Sequence, residues 1–165
     1  MRVSFDLDDT LFVSPDEFET EAAPRFPYNR KYKERLRKGT IELFEKLMAM
    51  DVEIWIYTTS FRSERYISGL FRCYSLEVEH IVNGERHAKE VQGVRVEAMP
   101  SKYPGRYRID LHIDDDVSVA QNGRVYGFKV FIVGPQDDNW VEKIIVEVER
   151  IKRIKALEGG SVKTT

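Results

Sequence analysis

At 165 residues, 42% of them hydrophobic and 33% charged, the chain has enough apolar material for one compact domain and lacks the bias of a disordered or fibrous sequence. A net charge of −2 and a pI near 6.0 argue against a general affinity for nucleic acid or membrane surfaces, leaving only local patches. The single cysteine, Cys73, excludes an internal disulfide, and no uninterrupted apolar stretch reaches the ~18 residues of a membrane span.

Taken in order, the chain opens on Val3 and Phe5, one face of a short buried strand that ends abruptly at Asp6, Asp8, Asp9 and Thr10. Asp6 arrives before any apolar leader could form, so no signal peptide and a cytoplasmic location are expected. In open α/β sheets ligands bind at the carboxyl edge of the strands. If extended geometry continues, the two-residue period sends Asp6 and Asp8 to the same side. Converging carboxylates need a cation between them, and an all-oxygen set suits Mg²⁺. One carboxylate can attack phosphorus to give an aspartyl phosphate while the other protonates the leaving oxygen and later activates water. Asp6 is assigned as nucleophile and Asp8 as general acid/base; the competing account is an acidic turn that caps the next element.

Residues 12–38 read as irregular, with Pro15, Pro24 and Pro27, an acidic first half and a basic second half interleaved with Phe26, Tyr28 and Tyr32. Such a basic, aromatic segment is either a solvated loop or a grip for phosphorylated polymers. Thr40 is the expected N-cap of a helix carrying Ile41, Phe44, Leu47 and Met48. Residues 52–57 form a β-branched and aromatic strand stopping at Thr58-Thr59-Ser60, and a helix is expected from about Arg62 to Cys73. Further on come a short strand at 80–82, an edge segment through Val91, Val94 and Val96, and a Pro-bounded loop at 100–105 holding Lys102. A strand at 109–113 runs into Asp114, Asp115 and Asp116. A short helix at 118–121 is expected to break at Asn122-Gly123, before a last strand at 127–133. The amphipathic stretch from Trp140 to Ile154 completes one domain over 1–157, with 158–165 expected as a flexible tail. Alternating strands and helices predict a parallel α/β sheet covered on both faces. Cys73 and the two tryptophans read as packing residues; His80, His87 and His112 read as structural or exposed.

Asp6/Asp8, Thr58, Lys102 and Asp114/Asp115 thus stand, in that order, at strand ends or in neighbouring loops. The stretch Phe5-Asp6-Leu7-Asp8-Asp9-Thr10-Leu11 resembles the first motif of the haloacid dehalogenase-like superfamily, an apolar strand followed by D-x-D-x-T. Ile54-Trp55-Ile56-Tyr57-Thr58 resembles the second motif, Lys102 the basic third, and Ile113-Asp114-Asp115 the acidic fourth. Lys38-Gly39-Thr40-Ile41-Glu42-Leu43-Phe44 together with Tyr57-Thr58-Thr59-Ser60 looks most like the small magnesium-dependent phosphatases of that superfamily.

The resemblance implies a Rossmann-like, doubly wound, three-layer fold. It implies that Asp6 becomes phosphorylated, that Asp8 serves as acid/base and offers Mg²⁺ its carbonyl, and that Thr58 binds phosphoryl oxygens. Lys102 would neutralise charge, with Lys89 as competitor, and Asp115 would ligate Mg²⁺ ahead of Asp114 or Asp116. An acid at Asp8 points to phosphate esters rather than carbon-halogen bonds. The 27 residues of Phe12–Lys38 and the 41 of Phe61–Ser101 leave no room for a separate cap domain. An open site follows, suited to a large phosphorylated substrate, with residues 25–38 as its docking surface. The alternative is a catalytically silent phosphate- or nucleic-acid-binding module; a phosphoacceptor receiver domain fits less well, because its acceptor aspartate falls mid-chain.

Overall fold

The computed structural model describes residues 1–161. β1 (Arg2–Phe5) is followed by a turn through Asp9, at φ 61°, and by β2 (Phe12–Val13), which pairs antiparallel with β3 (Arg35–Leu36). Then come α1 (Thr40–Ala49), β4 (Glu53–Tyr57), α2 (Glu64–Arg72), β5 (His80–Val82) and the single turn α3 (Gly84–His87). β6 (Leu111–Asp114), α4 (Val117–Tyr126), β7 (Val130–Ile132) and α5 (Trp140–Ser161) complete the described chain. Among the described residues no helix is long and apolar enough to cross a membrane.

The main sheet has the order β5-β4-β1-β6-β7, and every neighbouring pair is parallel. The chain winds outward from β1 through β4 to β5, then crosses back to β6 and outward to β7, so the winding reverses at β1. In sheets wound this way ligands bind beside the reversal, at the carboxyl ends of the strands. Helices flank the sheet, making an α/β fold. On one face Val3, Phe5, Ile54, Ile56, Leu111 and Ile113 merge with Leu43, Phe44, Ile67, Phe71 and Ile144 in one continuous core. The stacked rings of Phe44 and Phe71, 5.5 Å apart, join α1 to α2 within it. The other face carries a smaller cluster of Trp55, Tyr57, Val82 and Ile109. There the strands place polar residues, and the site begins.

Several local expectations are corrected. Thr40 does not cap α1: Gly39 does, at φ 92°, and the Thr40 hydroxyl donates to Arg37 O. The amides of the cap residue Gly39 and of Ile41 in the first turn donate to Glu21 Oε1, a partner eighteen and twenty residues away. Asn122-Gly123 does not break a helix, because α4 runs through it and stops at Gly127 in the left-handed region, φ 74°. Gly123 faces β7, where a Cβ would lie 2.6 Å from Phe128 O, so the glycine serves close helix-strand approach rather than a turn. The strand expected from 127 therefore starts only at Val130. Val91, Val94 and Val96 form no strand: residues 88–92 make a π-helical turn, and Val94 and Val96 are fully exposed. Residues 12–38 are less irregular than expected, since β2 and β3 pair and Tyr32 is buried in the main core. The tail expected from 158 begins as helix through Ser161, and its remainder, 162–165, lies outside the described residues.

Candidate active site

Register builds the site. Ser4 on β1 lies opposite His112 on β6, and the two-residue period carries Asp6 and Asp114 to the same face one step further along. The Asp6 amide donates to Ile113 O, which keeps β1 zipped to β6 up to the nucleophile candidate. Above them hangs the loop bearing Lys102, which is anchored next door by the Tyr103 amide donating to the Tyr57 hydroxyl, 2.9 Å. Lys102 Nζ lies 2.6 Å from Asp114 Oδ2 and 2.9 Å from Asp6 Oδ1. His112 Nε2 sits 2.8 Å from the same Asp114 oxygen, and Ser4 Oγ sits 2.7 Å from His112 Nδ1. A carboxylate only accepts, so Nε2 carries the imidazole proton and the Ser4 hydroxyl donates to Nδ1. Asp114 Oδ1 accepts from the Asp116 amide. Both oxygens of Asp114 are thus occupied by protein donors.

Asp6 is less well served. Its Oδ1 is buried and close to Lys102, yet no donor is aimed at it along a hydrogen-bond direction. Burial pushes the Asp6 carboxyl up to about 7, with Lys102 pulling against the shift and Asp114 adding to it. Burial also acts on Asp114, but donation from His112 and the Lys102 ammonium outweigh it and hold the group at about 2. Desolvation alone would lower Lys102, whereas Asp6 and Asp114 raise it. Complete burial lowers His112 and keeps it neutral at ordinary pH. One ammonium therefore faces two carboxylates, Asp114 takes the better share, and negative charge is left over at Asp6.

Asp115 adds to that surplus. Half-buried, it accepts from the Thr10 hydroxyl at 2.9 Å, and burial raises its pKa. Among the described residues, Asp6, Asp114 and Asp115 form the acidic group whose ligand atoms all lie within 4.8 Å of one another. The donor set is oxygen only, it holds more negative charge than Lys102 neutralises, and it includes the orphaned Asp6 Oδ1. These residues fit a hard divalent cation of the Mg²⁺ type. Since Asp114 is saturated, Asp6 and Asp115 have the free oxygens to hold it.

The other expected residues fall into place differently. Asp8 lies outside that acidic group: β1 ends at Phe5, the chain curls through Leu7–Phe12, and the half-exposed Asp8 carboxylate meets Arg62 Nη1 at 2.9 Å. Thr58 is buried at the end of β4, and its Oγ1 accepts from the Ser60 amide, shaping the turn beside β1. Lys89 is exposed on the π-helical turn, and the lysine that contacts the acidic group is Lys102. Three participants were not anticipated. Ser4 and His112 could have been suspected from their two-residue spacing before Asp6 and Asp114. Arg62, which bridges Asp8 and Glu34 and stacks over Phe12, left no signal beyond its place after the second strand. In comparisons with known proteins, no family model and no curated protein matches the chain.

Proposed function

We propose that the protein is a Mg²⁺-dependent phosphohydrolase of the haloacid dehalogenase-like type, working through an aspartyl phosphate on Asp6. The observation that carries this reading is the buried, under-neutralised Asp6 carboxylate facing Asp115 at the point where the winding of a parallel sheet reverses. Asp6 attacks the phosphorus of a phosphomonoester, the ester P–O bond breaks, and Asp8 gives the leaving oxygen a proton. Asp8 then takes a proton from water, which attacks the phosphoaspartate and regenerates Asp6 as phosphate departs. Lys102 and the Thr58 side of the site supply positive and hydrogen-bonding groups for the equatorial oxygens. Asp6 and Asp115 would hold a Mg²⁺ ion, which would add charge neutralisation for the phosphoryl oxygens. Arg62 Nη1 steadies the half-exposed Asp8 carboxylate at 2.9 Å.

The reading includes a three-layer, Rossmann-like architecture without a separate cap. In its support, the segment between β2 and β3 returns to the body instead of building its own core: Tyr32 joins the main core and Glu21 caps α1. The test is hydrolysis of an aryl phosphate by wild type and Asp6→Asn, each with Mg²⁺ and with chelator. Turnover is expected only in wild type with metal. A wild type that binds Mg²⁺ and forms no beryllofluoride adduct on Asp6 would overturn the proposal.

A further inference from the structure

The basic segment at 25–38 divides, once folded, into two kinds of cation. Arg35 donates to Thr20 and to Glu21 O, Arg37 is buried against Gly134 O and Asp137 O, and Lys38 pairs with Glu21. These three hold the loop to the body. Arg25, Arg30, Lys31 and Lys33 are exposed and make no ion pair among the described residues. Between them Phe26 and Tyr28 stand 68% and 55% exposed, and the Arg30 guanidinium lies 4.9 Å over the Phe26 ring.

This loop rests on α2. Gly69 makes the seat, because Tyr32 Oη occupies the place where any Cβ would be, 2.0 Å from it. Two clefts open on either side of that contact, of about 590 and about 670 Å³, and both are lined by Tyr32, Gly69 and Arg72. The first adds Lys31 and Arg65, and the second adds Arg25 and Tyr28. The acids of the first cleft are spent locally: Glu64 pairs with Arg86, and Glu79 accepts from the Ile54 amide. Arg65 and Arg72 are exposed at i and i+7 on α2, with no ion pair among the described residues. One turn before Arg65 stands Arg62, in contact with Asp8. A line of cations thus runs from Arg62, in contact with Asp8, through Arg65 to Arg72, the last two ~10 Å apart along α2, beside a loop of exposed rings.

We propose that this groove, made by residues 25–33 and the outer face of α2, docks single-stranded nucleic acid and delivers its terminal phosphomonoester to Asp6; this rests on the phosphohydrolase reading above. Successive unpaired cations suit a repeating phosphate backbone, and the exposed rings suit stacked bases. A phosphopeptide would call for one localised anion pocket rather than a stripe with aromatic faces. The patch is local, which reconciles it with a net charge of −2.

The experiment measures binding and turnover separately. Fluorescence anisotropy of Asp6→Asn protein with a 5′-phosphorylated oligothymidylate of about twelve nucleotides, and with its 3′-phosphorylated counterpart, reads docking without turnover. Wild type is assayed on the same oligonucleotides and on an aryl phosphate. The pairs Arg65→Ala/Arg72→Ala and Phe26→Ala/Tyr28→Ala are expected to raise the oligonucleotide Kd at least tenfold and to leave aryl phosphate turnover within twofold. The arginine pair is also expected to reduce the slope of log Kd against log salt by about 1.4, at ~0.7 per phosphate contact. Oligonucleotide affinity of the Asp6→Asn protein no better than for thymidine monophosphate, an unchanged Kd when either pair is added to it, or equal affinity for a phosphopeptide would overturn the groove. Aryl phosphate turnover with no oligonucleotide preference sinks the groove alone. Variant-sensitive oligonucleotide binding without any phosphatase activity leaves the docking surface standing and removes the phosphohydrolase reading.

Discussion

Lys102 and Asp114 form a buried ion pair of 2.6 Å whose cation also serves Asp6, 2.9 Å away. Removing the ammonium leaves two carboxylates in a pocket that is nearly closed to solvent. Breaking a buried pair from one side costs about 3–5 kcal/mol, because the surviving charge has lost both water and partner. Lys102→Met is therefore expected to lower unfolding free energy in urea by about that amount in chelator. On the proposed reading Mg²⁺ is expected to bind the folded variant and recover part of the loss, so that the stabilisation by metal should be larger in Lys102→Met than in wild type. Equal metal effects in the two proteins would show that the cation does not share the Asp6 pocket.

Packing around Gly123 gives a second test. Alanine is the better helix former by about 1 kcal/mol, so α4 in isolation would welcome Gly123→Ala. In the fold its Cβ would meet Phe128 O at 2.6 Å and Val130 Cγ2 at 3.2 Å. Overpacking against backbone costs about 1–3 kcal/mol, and the clash is expected to win. Thermal unfolding followed by circular dichroism should show a lower Tm, by roughly 2–4 °C per kcal/mol. A raised Tm would mean that α4 shifts away from β7 freely.

Gly123 also marks the boundary of what the sequence reveals. Val3, Phe5, Ile54, Ile56 and Leu111 announce their strands because burial and the two-residue period act locally, and the chemistry-bearing residues follow those strand ends directly. Asn122-Gly123 carries the local signature of a turn, but the glycine is there for a neighbour that local propensity does not register. The Glu21 cap of α1 and the contact of Arg62 with Asp8 join residues 18 and 54 apart, and no spacing rule reaches that far. Ser4 and His112 are hidden for the same reason: 108 residues separate them, and only the β1-β6 register makes them opposite. Asp8 stands outside the Asp6, Asp114 and Asp115 group and meets Arg62 instead, since the extended backbone stops at Phe5.

Asp110 ties the start of β6 to α5 and to the chain's beginning. Burial pushes its carboxyl up, but Lys155 Nζ at 2.6 Å and the Arg2 amide at 2.9 Å outweigh that and hold it below the ordinary 3.8. A depressed acid stabilises the fold above its unfolded pKa and loses that contribution as pH falls through its folded value. Wild type should therefore lose stability below about pH 3.8 more steeply than Asp110→Asn, which is less stable near neutrality. Urea titrations at a series of pH values compare the two. Parallel curves across the acid range would show that the Lys155 contact contributes nothing.

His112 offers the sharpest separation of positioning from chemistry. Its ring nitrogens bond Ser4 and Asp114 rather than Asp6; the Nε2–H fixes Asp114, and Asp114 in turn fixes Lys102. His112→Phe keeps ring and volume and deletes both hydrogen bonds, leaving Ser4 and Asp114 each short of a partner inside the protein. A loss of about 1–3 kcal/mol in stability is expected from the unsatisfied groups. Asp114 is then free to draw Lys102 away from Asp6 or to turn toward the cation, and outer partners of this kind typically change metal affinity 10–100-fold. The Mg²⁺ concentration giving half-maximal aryl phosphate turnover should therefore shift by at least tenfold, while KM measured at saturating Mg²⁺ stays within about threefold. Ser4→Ala removes only the donor to Nδ1 and should show the same metal shift in weaker form. If His112→Phe loses stability but keeps the wild-type Mg²⁺ dependence, the Ser4-His112-Asp114 chain is a packing device and Lys102 finds its place without it.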